Sequence, residues 1–215
     1  MAITELVFPA LKPTEEAKAG FFDKLPDALP ATFRVPGGPV TMAVARVIES
    51  IPADAENHSG YMAVITWESL DKIEAFIQTP GFADFKVKMG ELSSGPTVLQ
   101  FFEAAPEVVP QNTVKDASHF FVVKAAGNTA QVEAARQRWG DVTAAFAGVA
   151  GDSVKFHSGD GRKNVDDQFA GFSGWKSLEA LEDALENGKV QEQLQSLKGS
   201  GADVSTFTLE LKHVF

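Results

Sequence analysis

The side chains able to do chemistry in this chain are few. Its 215 residues hold 4 His, 3 Trp, a single Tyr and no Cys. Histidine is the natural base near neutral pH. His119 opens an extended stretch, where alternation puts it on one face with Phe121 and Val123. His157 shares a face with Ser153 and Lys155, a polar face expected to meet solvent or a wet cavity. Each is either a catalytic base or an ordinary structural histidine. His58 and His213 fall in a loop and near the C-terminus. The four are far apart, with no His-x-x-x-His spacing, so no metal site is expected. The missing thiols remove disulfides, thiolate zinc sites, iron–sulfur clusters and a cysteine nucleophile.

Other candidates would bind substrate. Arg46 interrupts an apolar stretch on the face of Met42, Val44 and Ile48. A guanidinium there either points outward or anchors a carboxylate, from the protein or from a ligand. Tyr61 could hydrogen-bond a substrate oxygen or simply sit at a strand start. Trp67 and Trp175 either plug a strand–helix junction or stack on a flat ligand.

These two tryptophans belong to a repeat. Trp67-Glu-Ser-Leu-Asp-Lys-Ile-Glu74 returns as Trp175-Lys-Ser-Leu-Glu-Ala-Leu-Glu182. A strand-like stretch precedes each copy, and an amphipathic helix and a terminal strand follow. Each half reads strand, helix, strand, strand, helix, strand.

In the first half, residues 5–11 are extended and Thr14 caps a helix with Glu15 and Glu16 in its first turn. Pro26 and Pro30 end or kink that helix, residues 41–51 form the second strand, and a polar loop through Asp54 and Asn57 follows. Ser69 caps the next helix, which Pro80-Gly81 breaks. In the second half, Asn128 or Thr129 caps a helix whose apolar face is Val132, Ala135, Trp139, Val142 and Phe146. Gly159-Asp-Gly-Arg-Lys163 reads as a hairpin loop between two strands. The expected organisation is a first ferredoxin-like repeat over 1–105, a linker over 106–114 and a second repeat over 115–215. Two such βαββαβ units can close on each other within one chain.

A strand ending in Trp-x-Ser, followed by a helix and then Pro-Gly-Phe, resembles the dimeric α/β-barrel superfamily. The stretch from Tyr61 to Glu103 looks most like its antibiotic-biosynthesis-monooxygenase and stress-responsive A/B-barrel branches, and the doubled form is similar to small fungal proteins of that group. The resemblance implies an α+β fold of two tandem ferredoxin-like repeats forming an intramolecular dimeric α/β barrel.

Three chemistries of that superfamily depend on residues this chain replaces. Ala63 and Gly171 stand where cofactor-free members often carry an Asn, four residues before the Trp. Lys86 and Leu194 stand where haem-degrading members place a histidine ligand. Phe76 and Phe82 stand where plant cyclases use a Tyr and a His as an acid–base pair. The resemblance then implies a cofactor-independent monooxygenase acting on a small hydrophobic substrate, a polyketide phenol or an oxylipin-like acid. His119 and His157 are the candidate bases. Trp67, Trp175, Arg46, Tyr61, Phe76 and Phe82 are the candidate substrate contacts. The alternatives are a binding protein without catalysis, and a cyclase or isomerase with relocated acid–base groups.

Composition bounds the rest. There are 19 Lys+Arg against 29 Asp+Glu, a net charge of −10, which repels phosphate backbones and argues against nucleic acid. No apolar run reaches the roughly 20 residues of a membrane span, and the first residues carry no signal-like block. The expectation is a cytoplasmic protein with no membrane partner and no cofactor, its homodimerisation open. The 17 Phe either fill a dry core or line an apolar pocket.

Overall fold

A computed structural model of the chain describes residues 1–53 and 59–215. The polar loop through Asp54 and Asn57, and His58, lie outside the described residues. Eight strands carry the fold: β1 (Ile3–Phe8), β2 (Thr41–Ile51), β3 (Tyr61–Trp67), β4 (Val98–Glu103), β5 (His119–Ala126), β6 (Lys155–Arg162), β7 (Gln168–Trp175) and β8 (Asp203–His213). They close into an antiparallel barrel in the order β1-β3-β2-β8-β5-β7-β6-β4. Both halves therefore share one strand order, β4-β1-β3-β2 in the first and β8-β5-β7-β6 in the second. The halves join edge to edge. β2 pairs β8 from Ala43↔His213 to Ile51↔Thr206, with a bulge between Val47 and Glu49. β4 pairs β6 from Phe101↔Arg162 to Glu103↔Asp160. Closure pairs every strand with a neighbour on each side, over three residues at the β4–β6 seam.

Alternation decides which side chains the barrel swallows. Leu6, Phe8, Val64, Phe102, Phe120 and Phe172 are among the inward residues of both halves that form one core. Outward residues form two further cores, one under the helices of each half. The stretch expected as a hairpin loop, Gly159-Asp-Gly-Arg, instead belongs to β6, and the turn is a short 3-10 segment at Lys163–Val165. Packing explains this. A Cβ on Gly159 would lie 2.9 Å from the Phe102 carbonyl carbon, and one on Gly161 would lie 1.6 Å from the Val165 oxygen. These glycines permit close backbone approach rather than a reversal.

The two helical layers differ. In the first half, α1 (Glu15–Ala19) starts where Thr14 Oγ1 accepts from the Ala17 amide at 3.3 Å. A π turn over Gly20–Lys24 follows, then α2 (Leu25–Ala28) and α3 (Pro30–Phe33), each with proline in its first turn. Ser69 caps α4 (Leu70–Phe76), and Thr79 caps α5 (Pro80–Leu92), which buries no residue fully. A short α6 (Gln111–Val114) lies between the halves. In the second half, Asn128 and Gln131 form a capping box that starts α7 (Thr129–Ala150), a helix of 22 residues. All five residues of its expected apolar face are buried. α8 (Leu178–Glu186) and α9 (Gly188–Lys198) complete that layer. The first half thus has a broken cover and the second a continuous one. Among the described residues, no helix is long and apolar enough to cross a membrane.

Candidate functional site

Beneath the broken cover lies a cavity of about 790 Å³. Its floor is the outward face of the first four strands, with Glu5, Val44, Ala63, Ile65, Trp67 and Phe101. Phe21, Phe33, Ile73, Phe76, Phe82 and Met89 are among the helical residues that roof it. Short helical pieces broken at Pro26 and Pro30 cannot lay down a continuous apolar ridge, so space remains. Volume and lining fit a small hydrophobic ligand.

One carboxyl group is buried in this floor. Glu5 is only 6% exposed, with Ile3, Leu6 and Val7 as apolar neighbours along β1. Trp67 Nε1 donates a hydrogen bond to Glu5 Oε2 at 2.8 Å. Burial pushes the Glu5 pKa up from 4.5 to about 7, and the Trp67 bond opposes part of that rise by favouring the carboxylate. A group poised near neutral pH, holding or releasing a proton at Oε, suits acid–base chemistry.

The second half seals the matching place. Ile3 pairs Trp67, and His119 pairs Trp175, so Glu5 matches Phe121 and Ile65 matches Ser173. Trp175 Nε1 donates to Ser173 Oγ at 2.8 Å. Phe121, Trp139, Phe146 and Trp175 fill the layer there. Gly171, which matches Ala63, lets the Trp139 ring touch the sheet: a Cβ on it would lie 2.4 Å from that ring.

Of the residues selected from sequence, Trp67, Phe76 and Phe82 line the cavity. The Trp67 and Phe76 rings are 5.3 Å apart, and Phe76 and Phe82 are 5.6 Å apart. Tyr61 packs beside the site against Phe21 and Phe22. Arg46 reaches the protein's own Glu210 and lies over the Phe22 ring. His119 is 2.9 Å from Ser118 Oγ through Nδ1, and burial lowers its pKa against the pull of Glu210 and Glu182. Trp175 sits edge-on to Phe146 in the sealed layer.

His157 meets neither solvent nor a wet cavity, contrary to the polar look of its strand face. Lys155 is exposed at the start of β6, but the same face then turns into the barrel. His157 Nε2 is 2.9 Å from Thr4 Oγ1, and its ring stacks on Phe172 at 4.3 Å. Nδ1 has no hydrogen-bond partner among the described residues. Burial drops its pKa from 6.5 to about 3.

Glu5 is the residue sequence reasoning missed. On sequence alone the first strand starts at Glu5, which places this residue at a boundary. Its signal was a charge flanked on both sides by apolar strand residues, set against Phe121 in the other half. Among the described residues, no group of three His, Cys, Asp or Glu could hold a metal ion.

No family model matches the chain, and no curated protein matches its sequence. Solved structures do resemble it. A candidate monooxygenase from Fusobacterium nucleatum superposes with a TM-score of 0.69 at 11% identity, covering 99% of this chain and 93% of that one. An anthrone oxidase-like protein superposes with a TM-score of 0.67 at 14% identity, covering 99% and 91%. A candidate chlorite dismutase reaches 0.60 at 8% identity, covering 99% and 95%. These likenesses show the fold. Their names span different chemistries, so the reaction has to be argued from the site.

Proposed function

We propose that this chain is an oxygenase working without metal or organic cofactor on a small hydrophobic substrate with a weakly acidic methylene group. The observation that carries the reading is Glu5, a carboxyl group with a pKa of about 7 on the floor of an apolar cavity. The ionised Glu5 takes a proton from an activated methylene. The carbanion passes one electron to dioxygen, and the radical pair recombines to a peroxide anion, which Glu5 protonates to the hydroperoxide. The hydroperoxide loses water to give a ketone, so one oxygen atom enters the product and the other leaves in water. The regenerated Glu5 carboxylate takes the second proton of that carbon as the O–O bond breaks and hands it to the departing hydroxide. The Phe-lined roof keeps solvent from the anion and the radical pair. Trp67 holds the carboxylate through Nε1 and offers a flat face to the substrate. The likeness to proteins named as monooxygenases and as anthrone oxidase-like supports the reading.

We read the two halves as repeats over 1–105 and 115–215, joined by 106–114, of which the first keeps a working cavity. His119, His157, Trp175, Arg46 and Tyr61 do not line it, so the base is assigned to Glu5 instead of either histidine.

The test is dioxygen consumption by chelator-treated protein across anthrone-type phenols and free oxylipin acids, with isotopically heavy dioxygen and product masses. Expected is uptake with one heavy oxygen in the product, abolished by Glu5→Gln. Turnover without dioxygen would favour an isomerase using the same base. Binding with no turnover of any kind would favour a ligand-binding protein.

A further inference from the structure

The cavity of the first half receives one residue from the second. Lys163, at the turn between β6 and β7, lines its rim. Among the described residues it alone, glycines aside, has a positive φ, 65°. That conformation is costly for a lysine. It is held by neighbours from the first half: Asn164 Nδ2 donates to the Leu99 carbonyl at 2.9 Å, and Lys163 Nζ donates to Glu74 Oε1 at 2.8 Å. The ammonium also stands 5.6 Å from the centre of the Phe101 ring. Phe101 pairs directly with Glu5 across β4 and β1, so the ring beside the cation belongs to the residue facing the buried carboxyl's strand position.

Charge sharpens the picture. The chain carries −10 overall, yet among the described residues the charged ones of the cavity lining are Lys86, Lys163 and Glu5. Below pH 7 burial keeps Glu5 mostly protonated, which leaves the lining net positive in an acidic protein. A positive rim over an apolar floor suits a ligand with a hydrophobic body and one negative end.

We propose that Lys163 is a specificity-determining residue that reads a carboxylate on the cavity's ligand, the carboxylate replacing Glu74 as its partner. The proposal rests on the reading of this cavity as the substrate site, and it selects apolar monocarboxylic acids over neutral molecules. Once the acid end is anchored at Lys163, the body lies over Phe101 toward Glu5.

The probes are 1-naphthaleneacetate with its methyl ester, and decanoate with methyl decanoate, titrated into the full chain by calorimetry at pH 6 in low salt. Expected is at least tenfold tighter binding of each acid than of its ester, falling to within twofold in Lys163→Met and retained in Lys163→Arg. Lys72→Met, which removes the same charge from an ion pair with Glu68 outside the lining, leaves the ratio unchanged. Glu74→Gln separates the roles. If Lys163 reads the ligand, loss of its competitor tightens acid binding severalfold. If Lys163 only ties the halves together, Glu74→Gln and Lys163→Met weaken binding alike, and the proposal falls. Equal binding of acid and ester, or no binding of either, also overturns it. Acid-selective binding with no oxygen uptake would sink the oxygenase reading alone. Oxygen uptake with neutral phenols, indifferent to Lys163→Met, would sink this proposal alone.

Discussion

Glu5 and Phe121 hold the same place in the two halves, each two residues along its first strand from the partner of a strand-ending tryptophan. One is a buried carboxyl group at the edge of open space, the other a ring filling a packed layer. The tryptophans follow suit: the Trp67 indole donates to Glu5, whereas that of Trp175 donates to Ser173. A buried indole N–H must find an acceptor, and only in the first half is that acceptor an ionisable group. The barrel core is shared by both halves, so the second can hold the scaffold rigid while the first keeps a costly void.

Glu5→Gln should abolish catalysis and raise stability in alkaline solution. Loss of a positioned base lowers turnover by at least about a hundredfold, read as oxygen uptake. The stability sign follows from linkage. The folded pKa is about 7 against 4.5 for an ordinary glutamate, so folding retains a proton that the unfolded chain gives up between those values. Native Glu5 therefore costs stability progressively as pH rises from 4.5 to 7, reaching about 3 kcal/mol above it. Urea unfolding at pH 5 and pH 8 should show Glu5→Gln gaining on the native protein much more at the higher pH. An equal difference at both values would remove Glu5 as a shifted group.

Trp67→Phe should move the pH–rate profile without removing the base. The indole bond favours the carboxylate, so its loss lets burial push Glu5 further up. A hydrogen bond to a charged group contributes about 1.5–3 kcal/mol, which corresponds to a shift of one to two pH units. The acidic limb of kcat against pH should move upward by about that much. A profile that keeps its midpoint and loses only amplitude would mean Trp67 acts by substrate stacking alone.

Most of the scaffold was legible because it rests on local rules. Thr14, Ser69 and Asn128 cap the helices expected of them, and the face of Val132 to Phe146 is buried at every expected position. Strand β2 begins and ends where the apolar run does. The site was only partly legible, since it depends on space that no single segment contains. Trp67, Phe76 and Phe82 were found because a repeat and a resemblance marked them. Glu5 was hidden as a strand boundary. His157 misleads because its neighbours Ser153 and Lys155 are polar, although what surrounds its ring is Phe172 from the adjoining β7 and Thr4 and Phe120 from β1 and β5. Gly159 and Gly161 read as a turn for want of the Phe102 and Val165 backbones that crowd them.

Gly171→Ala should destabilise the protein while leaving the cavity's ligand binding intact. The new methyl would lie 2.4 Å from the Trp139 ring, under van der Waals contact, so helix α7 has to lift from the sheet. Such overpacking costs about 1–3 kcal/mol, measurable as a lowered urea midpoint at unchanged m. Trp139→Leu in the same chain should recover part of the loss by withdrawing the ring. No recovery would place the clash elsewhere.

His157 should make the barrel acid-sensitive on its own. Its folded pKa is about 3 against an ordinary 6.5, with burial as the cause, so the unfolded chain binds a proton that the folded chain refuses across that window. Stability from this group is complete above pH 6.5 and falls as pH drops toward 3, by about 1.4 kcal/mol per pH unit for one proton. Protonation would place a charge against Phe172 and Phe120, with Thr4 Oγ1 the one hydrogen-bond partner of the ring among the described residues. In His157→Gln the amide can still bond Thr4 but cannot titrate. Carboxylates elsewhere titrate in both proteins, so the difference in unfolding free energy between them isolates the imidazole. That difference should shrink steadily from pH 6 to pH 4 as the native chain loses its advantage. A difference independent of pH would mean that the imidazole titrates alike in the folded and unfolded chains.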